Sequence, residues 1–214
     1  MVLFYRLIVV LISLSCGSIV AQTRAPRIIS AVTFEGKIDS MRTNYGVNKE
    51  LPLNYELASL VALSYYPELA NTKIKFVTKK LNSTMAARPS GLNFLRRKGK
   101  RQYKILLNNV NPQVPLDSAS FNARVGVIGH EFGHVADYQS KSVIKLIFNA
   151  FGYASKKYRA KFERATDQRT IDHGLFWQCY DFSVYVFSHK KSDAAYLEYK
   201  RKIYMTPEEI IEQK

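Results

Sequence analysis

Cysteine is nearly missing from this chain. Cys16 and Cys179 are the only two in 214 residues, so no disulfide framework holds the fold and an apolar core must do so. Glycine and proline are sparse as well, at 10 and 7 residues, which excludes collagen-like and low-complexity classes. Acidic residues number 17 against 32 Lys and Arg, for a formal charge of +15. That deficit raises nucleic acid, anionic membrane or acidic polymer as partners without choosing among them. Long hydrophobic runs are also lacking. The most apolar stretch, residues 7–21, falls short of the roughly 20 residues a spanning helix takes. What remains excludes disorder: hydrophobic residues make up 47%, with 12 Phe and 14 Tyr, enough for a sizeable core.

The first 21 residues are expected to be a signal peptide. Arg6 is a short basic start, Leu7 to Leu14 is an apolar core of the right length, and Ile19-Val20-Ala21 before Gln22 suits cleavage. Residues 22–214 are then one exported domain, periplasmic or secreted. Leu14-Ser15-Cys16 loosely resembles a lipoprotein processing site, so a lipid or membrane anchor through this segment is the alternative.

The pattern of the remaining chain is α+β. Residues 28–34, 73–78 and 103–107 carry the β-branched content and partial alternation of strands. A helix is expected from Tyr55 to Tyr66, ending at Pro67, and Asn108 to Pro112 reads as a turn. From Phe121 onward the chain is helical in pattern. Ser118 or Ser120 would cap a helix running to about Tyr138, followed by helices over 142–151, 156–171, 175–188 and 193–204. Thr206-Pro207-Glu208-Glu209 has Thr, Pro and Glu where a capping box needs them. Strands first and helices after suggest a small mixed sheet with helices, then a mainly helical half. Cys179, in the aromatic stretch Phe176 to Tyr180, is expected to be a buried thiol.

The chemistry lies in His130-Glu131-Phe132-Gly133-His134. Two histidines four apart share one side of a helix, so both imidazoles can bind one zinc ion. Glu131 between them would sit beside the metal and could take a proton from water. Val125, Ile128, Phe132, Val135 and Ala136 cluster on one face, with the two histidines nearly opposite. A third ligand could come from Glu163 on a later helix. Asp167, one turn on, could accept the N–H of a ligating imidazole. A solvated acidic pair among Arg159, Lys161, Arg164 and Arg169 is the other reading of these two residues.

The combination resembles the gluzincin group of zinc metallopeptidases, from Val127 to Ala136 and again over Glu163-Arg164-Ala165-Thr166-Asp167. The resemblance implies a zincin-like fold with His130, His134 and Glu163 on zinc, Glu131 as general base and Asp167 orienting a histidine. It implies peptide-bond hydrolysis of a peptide or protein substrate. His173, Tyr138, Tyr153 and Tyr158 are candidate transition-state donors. In such enzymes an edge strand beside the motif helix pairs with substrate, and Lys104 to Leu107 could be that strand.

Arg96, Arg97, Lys98, Lys100 and Arg101 crowd one short run. An exposed hairpin turn or a contact for an anionic envelope surface would each explain it, and no motif points to specific nucleic-acid binding. Two alternatives to an enzyme remain: a non-catalytic zinc-binding protein on the same fold, and an envelope-associated binding protein.

Overall fold

In the computed structural model the described residues are 24–108, 110 and 112–214. The expected leader, with Cys16, and Asn109 and Asn111 of the expected turn lie outside them. The chain begins with α1 (Ile38–Tyr45), β1 (Lys49–Glu50), α2 (Glu56–Leu63), β2 (Lys73–Thr78), β3 (Met85–Pro89) and β4 (Gln102–Leu107). It continues with α3 (Phe121–Ser140), α4 (Val143–Gly152), α5 (Lys156–Thr170), α6 (Phe176–Ser188), α7 (Ala194–Ile203) and α8 (Pro207–Ile211). The class is α+β: one small four-stranded mixed sheet, then a half that is mostly helical. No helix among the described residues is long and apolar enough to cross a membrane.

The sheet has the order β1-β2-β4-β3. β1, β2 and β4 run parallel, and β3 joins β4 antiparallel, with Met85 opposite Leu107 and Pro89 opposite Tyr103. This order corrects the expectation for Lys104 to Leu107. β4 is an interior strand, with Tyr103, Ile105 and Leu106 buried, so its backbone is already paired on both sides. The edge beside the motif helix is β3. Its small residues and closing Pro89 carry little strand signal, but a proline fits an edge.

Residues 28–34 are not a strand either. Ala31–Phe34 is a 3₁₀ turn, and the backbone before it is satisfied by side chains of two helices. Asn122 Oδ1 accepts from the Ile29 N–H at 2.8 Å, and Gln178 Nε2 donates to the Pro26 carbonyl at 3.0 Å. Polar amides thus replace a strand neighbour. α1 was absent from the sequence pattern, and α2 ends three residues earlier than Tyr66.

The helical half follows its local signals closely. Ser120, not Ser118, caps α3 by accepting from the Ala123 N–H at 3.1 Å. Thr206 and Glu209 form the capping box of α8. Cys179 is a buried thiol. α3 is the central element, packed on α2, α5, α6 and β3. The expected apolar face is buried, yet so is the face with His130 and His134. α3 is therefore a core helix covered on nearly all sides, not an amphipathic helix fronting solvent.

Two glycines serve this packing. A Cβ at Gly126 would lie 2.0 Å from the Gln178 carbonyl oxygen, so only glycine lets α3 and α6 touch backbone to backbone. Gly174, at φ 93°, turns the chain out of α5 and into α6, a conformation that side chains resist. Its carbonyl accepts from the Ala25 N–H at 2.9 Å.

The basic run lies in the β3–β4 connection, between two antiparallel strands as expected of a hairpin. Its five cations do not share one environment. Arg96, Arg97, Lys98 and Lys100 are exposed, but Arg101 is buried. Arg101 Nη1 donates to the carbonyls of Tyr138 at 3.1 Å and Lys141 at 2.7 Å, and Lys98 donates to that of Ser140. These cations satisfy the free carbonyls at the C-terminus of α3, where the helix dipole favours positive charge.

A candidate metal centre between two helices

The structure brings together all five residues singled out by the sequence pattern. α3 contributes His130, Glu131 and His134; α5 contributes Glu163 and Asp167. His130 Nε2 and His134 Nε2 each lie 3.1 Å from Glu163 Oε2. One ligand atom from each of these three residues lies within 4.8 Å of the others. The acidic pair on α5 is buried, not a solvated pair.

The outer hydrogen bonds decide which imidazole nitrogens face inward. His130 Nδ1 lies 2.8 Å from Asp167 Oδ1, and a carboxylate only accepts, so Nδ1 carries the proton. Asp167 Oδ2 in turn accepts from the Met205 N–H at 2.9 Å. His134 Nδ1 lies 3.2 Å from Thr166 Oγ1, whose hydroxyl donates to the Phe162 carbonyl at 3.0 Å. His134 Nδ1 therefore donates as well. Both neutral imidazoles then point an Nε2 lone pair at a carboxylate oxygen. Only positive charge reconciles three electron-rich atoms so placed, either extra protons or a metal ion. The donor set suits a metal: two imidazoles with their outer N–H groups fixed, and one carboxylate.

Without an ion, protons supply the same positive charge. Burial opposes a charge on Glu163, yet the His134 charge and hydrogen bonds from both histidines hold its carboxyl well below the usual range. Burial likewise opposes charge on His130, but the bonds to Asp167 and Glu163 win and push its pKa up to about 10. Glu131 differs from these residues. Burial pushes its pKa up, and its Oε2 has no hydrogen-bond partner. An unpartnered buried carboxylate oxygen is costly unless something binds there.

The centre opens on a cleft of about 1110 Å³, lined by His130, Glu131, His134 and Glu163 and by the edge strand from Met85 to Pro89. A smaller cavity of about 60 Å³ lies beside His130 and Glu131, walled by Val127, Phe182, Val186 and Met205.

The candidate donors separate in space. His173 is away from the cleft: its Nε2 pairs with Glu68 at 2.8 Å, its Nδ1 donates to the Arg169 carbonyl at 2.7 Å, and its ring stacks on Tyr66. The Tyr158 hydroxyl donates to Asn149. Tyr153 donates to Glu163 Oε1, and Tyr138 stacks on His134 at 6.1 Å, both along the cleft.

Sequence reasoning missed Thr166, Lys200 and Tyr204. Thr166 lies inside the Glu163–Asp167 tract, and its position three residues after Glu163 was a usable signal. Lys200 and Tyr204 belong to no motif, and only the fold brings them to the cleft wall. The buried Lys200 ammonium lies 4.2 Å from the centroid of the Tyr204 ring and has no ion-pair or hydrogen-bond partner among the described residues. Burial pushes its pKa down to about 8. The Tyr204 ring lies 5.9 Å from that of His130.

No family model matches this chain, and no match is found among curated proteins or solved structures. The arrangement of side chains is accordingly what supports a functional reading.

Proposed function

We propose that the protein is an exported, zinc-dependent peptide hydrolase of zincin-like, gluzincin-type organisation. The observation that carries the reading is the convergence of His130 Nε2, His134 Nε2 and Glu163 Oε2 next to the unpartnered Glu131 Oε2, at the wall of an open cleft. His130, His134 and Glu163 would hold the ion. Zinc bound there would acidify water and polarise a substrate carbonyl.

Glu131 is the base in this scheme. Its Oε2, buried beside the two histidines with no hydrogen-bond partner, is placed to accept a proton from water. It takes one proton from the attacking water and passes it to the amide nitrogen as the C–N bond breaks. The products are a carboxylic acid and an amine, which ionise to carboxylate and ammonium. Asp167 and Thr166 keep His130 and His134 in the required tautomers. The Tyr204 hydroxyl and the Lys200 ammonium, on the cleft wall with Tyr138 and Tyr153, are among the groups available to face negative charge developing on the carbonyl oxygen. β3, the edge strand lining the cleft, is suited to pair with an extended peptide.

The test begins with purified full-length protein assayed for bound zinc and for cleavage of a mixed peptide library. Chelation should stop cleavage and added zinc restore it. Glu131→Gln should retain zinc and fold while hydrolysis falls ~10³-fold. Zinc retained with no cleavage by the unsubstituted protein would favour the non-catalytic reading, and an active Glu131→Gln protein would remove the base from the scheme.

A further inference from the structure

α4 is a sparsely covered helix, and its exposed side is apolar. Ile144 is 66% exposed, Phe148 70% and Phe151 76%, at spacings of four and three that place them along one side. Only Leu146 of this helix is buried. Against α4 packs the 3₁₀ turn Gly91–Leu95, where Leu92 is 75% exposed. Scattered apolar residues on a surface need no explanation, but a concentration on two adjoining elements marks an interaction site.

The same two segments carry charge of one sign. Exposed Arg96, Arg97 and Lys100 follow the turn directly, Lys145 lies on α4, and Lys156 and Lys157 come just after it. No Asp or Glu occurs anywhere from residue 69 to 116 or from 138 to 162. An aromatic and aliphatic ridge with a basic surround is the composition of a helix lying in the headgroup region of an anionic bilayer.

We infer that α4 and the Gly91–Leu95 turn form a docking surface for anionic lipid membranes, with Phe148 and Phe151 inserted among the acyl chains. Charge complementarity decides this occupant over a second copy of the chain. A two-fold contact through this patch would set one basic rim against another, and like charges oppose such an interface. Residues of α4, among them Ile147 and Phe151, also line the mouth of the cleft. Docking would hold that mouth at the membrane surface. The inference is independent of whether the cleft hydrolyses peptides.

The test is sedimentation of the full chain with vesicles of phosphatidylcholine alone or mixed with phosphatidylglycerol. The chain should partition to the mixed vesicles at least ~10-fold more strongly, and the difference should shrink as salt rises. Phe148→Ser with Phe151→Ser should weaken that binding by roughly tenfold or more. Both side chains are exposed, so the thermal melting curve should stay in place. Phe151→Trp should give emission that shifts to the blue with mixed vesicles and is quenched by brominated lipid.

Unchanged binding by the double serine variant would assign membrane affinity to another part of the chain, such as residues 1–23, and overturn the proposal. Equal binding to neutral vesicles would do the same. So would a dimer that the serine variant splits while vesicle binding is absent, or tight binding to polyglutamate without binding to vesicles.

Discussion

Asp167 shows how much one carboxylate of the centre does. Oδ1 accepts from His130 Nδ1 and Oδ2 from the Met205 N–H, so it joins the α3 histidine to the backbone ahead of α8. Asparagine has only one oxygen and cannot serve both donors. If the centre holds zinc as proposed, Asp167→Asn should therefore weaken its binding by about 10–100-fold, measured by competition with a chromophoric chelator. Unchanged affinity would mean that Asp167 only anchors the segment at Met205. His130, Glu131, His134, Glu163 and Asp167 were legible because helical spacing alone puts such residues on one side of a helix. Lys200 and Tyr204 were not, since nothing local distinguishes a lysine or tyrosine on a cleft wall from one on the surface.

The elements are held together by close approach as much as by apolar area. α3 meets α6 at Gly126, and an alanine methyl there would overlap the Gln178 carbonyl. Rigid helices cannot yield locally, so Gly126→Ala should cost ~3 kcal/mol, the upper part of the usual range for overpacking. Urea unfolding measures this, and a loss under ~1 kcal/mol would show that α6 shifts freely. Helices α3 to α8 were readable from caps and period, because both signals are local. Residues 28–34 misled because their β-branched content described a propensity, while Asn122 and Gln178 supplied other hydrogen-bond partners. β3 stayed hidden for the opposite reason: its strand state comes from pairing with β4.

Across the whole molecule, the first half and the helical half are joined by contacts distant in sequence. Glu68 pairs with His173 over 105 positions, and the imidazole stacks on the Tyr66 ring with centroids 4.2 Å apart. Burial opposes the His173 charge, but Glu68 and the Arg169 carbonyl outweigh it and raise its pKa above 6.5. Burial also opposes the Glu68 charge, and His173 holds its pKa below 4.5. The sign follows for each partner. The His173 contribution is fully present below pH 6.5 and is lost as pH rises through its raised folded value. The Glu68 contribution is present above pH 4.5 and is lost as pH falls through its lowered one. NMR titration should place the His173 midpoint above 6.5, and Glu68→Gln should move it down. A midpoint that ignores this substitution would rule out the pair as the cause.

By itself the sequence determined the helical half, its caps and the candidate ligand set, because caps, periodicity and four-residue spacing are properties of neighbours along one chain. It also determined the positive charge. Only the tertiary structure decided that the two ligand helices meet, that β3 and not β4 borders the cleft, and that Arg101 caps a helix instead of facing solvent. It alone showed an apolar ridge left uncovered beside the exposed cations. Each of these depends on which surfaces, far apart in sequence, pack against one another, and local propensity carries no term for that.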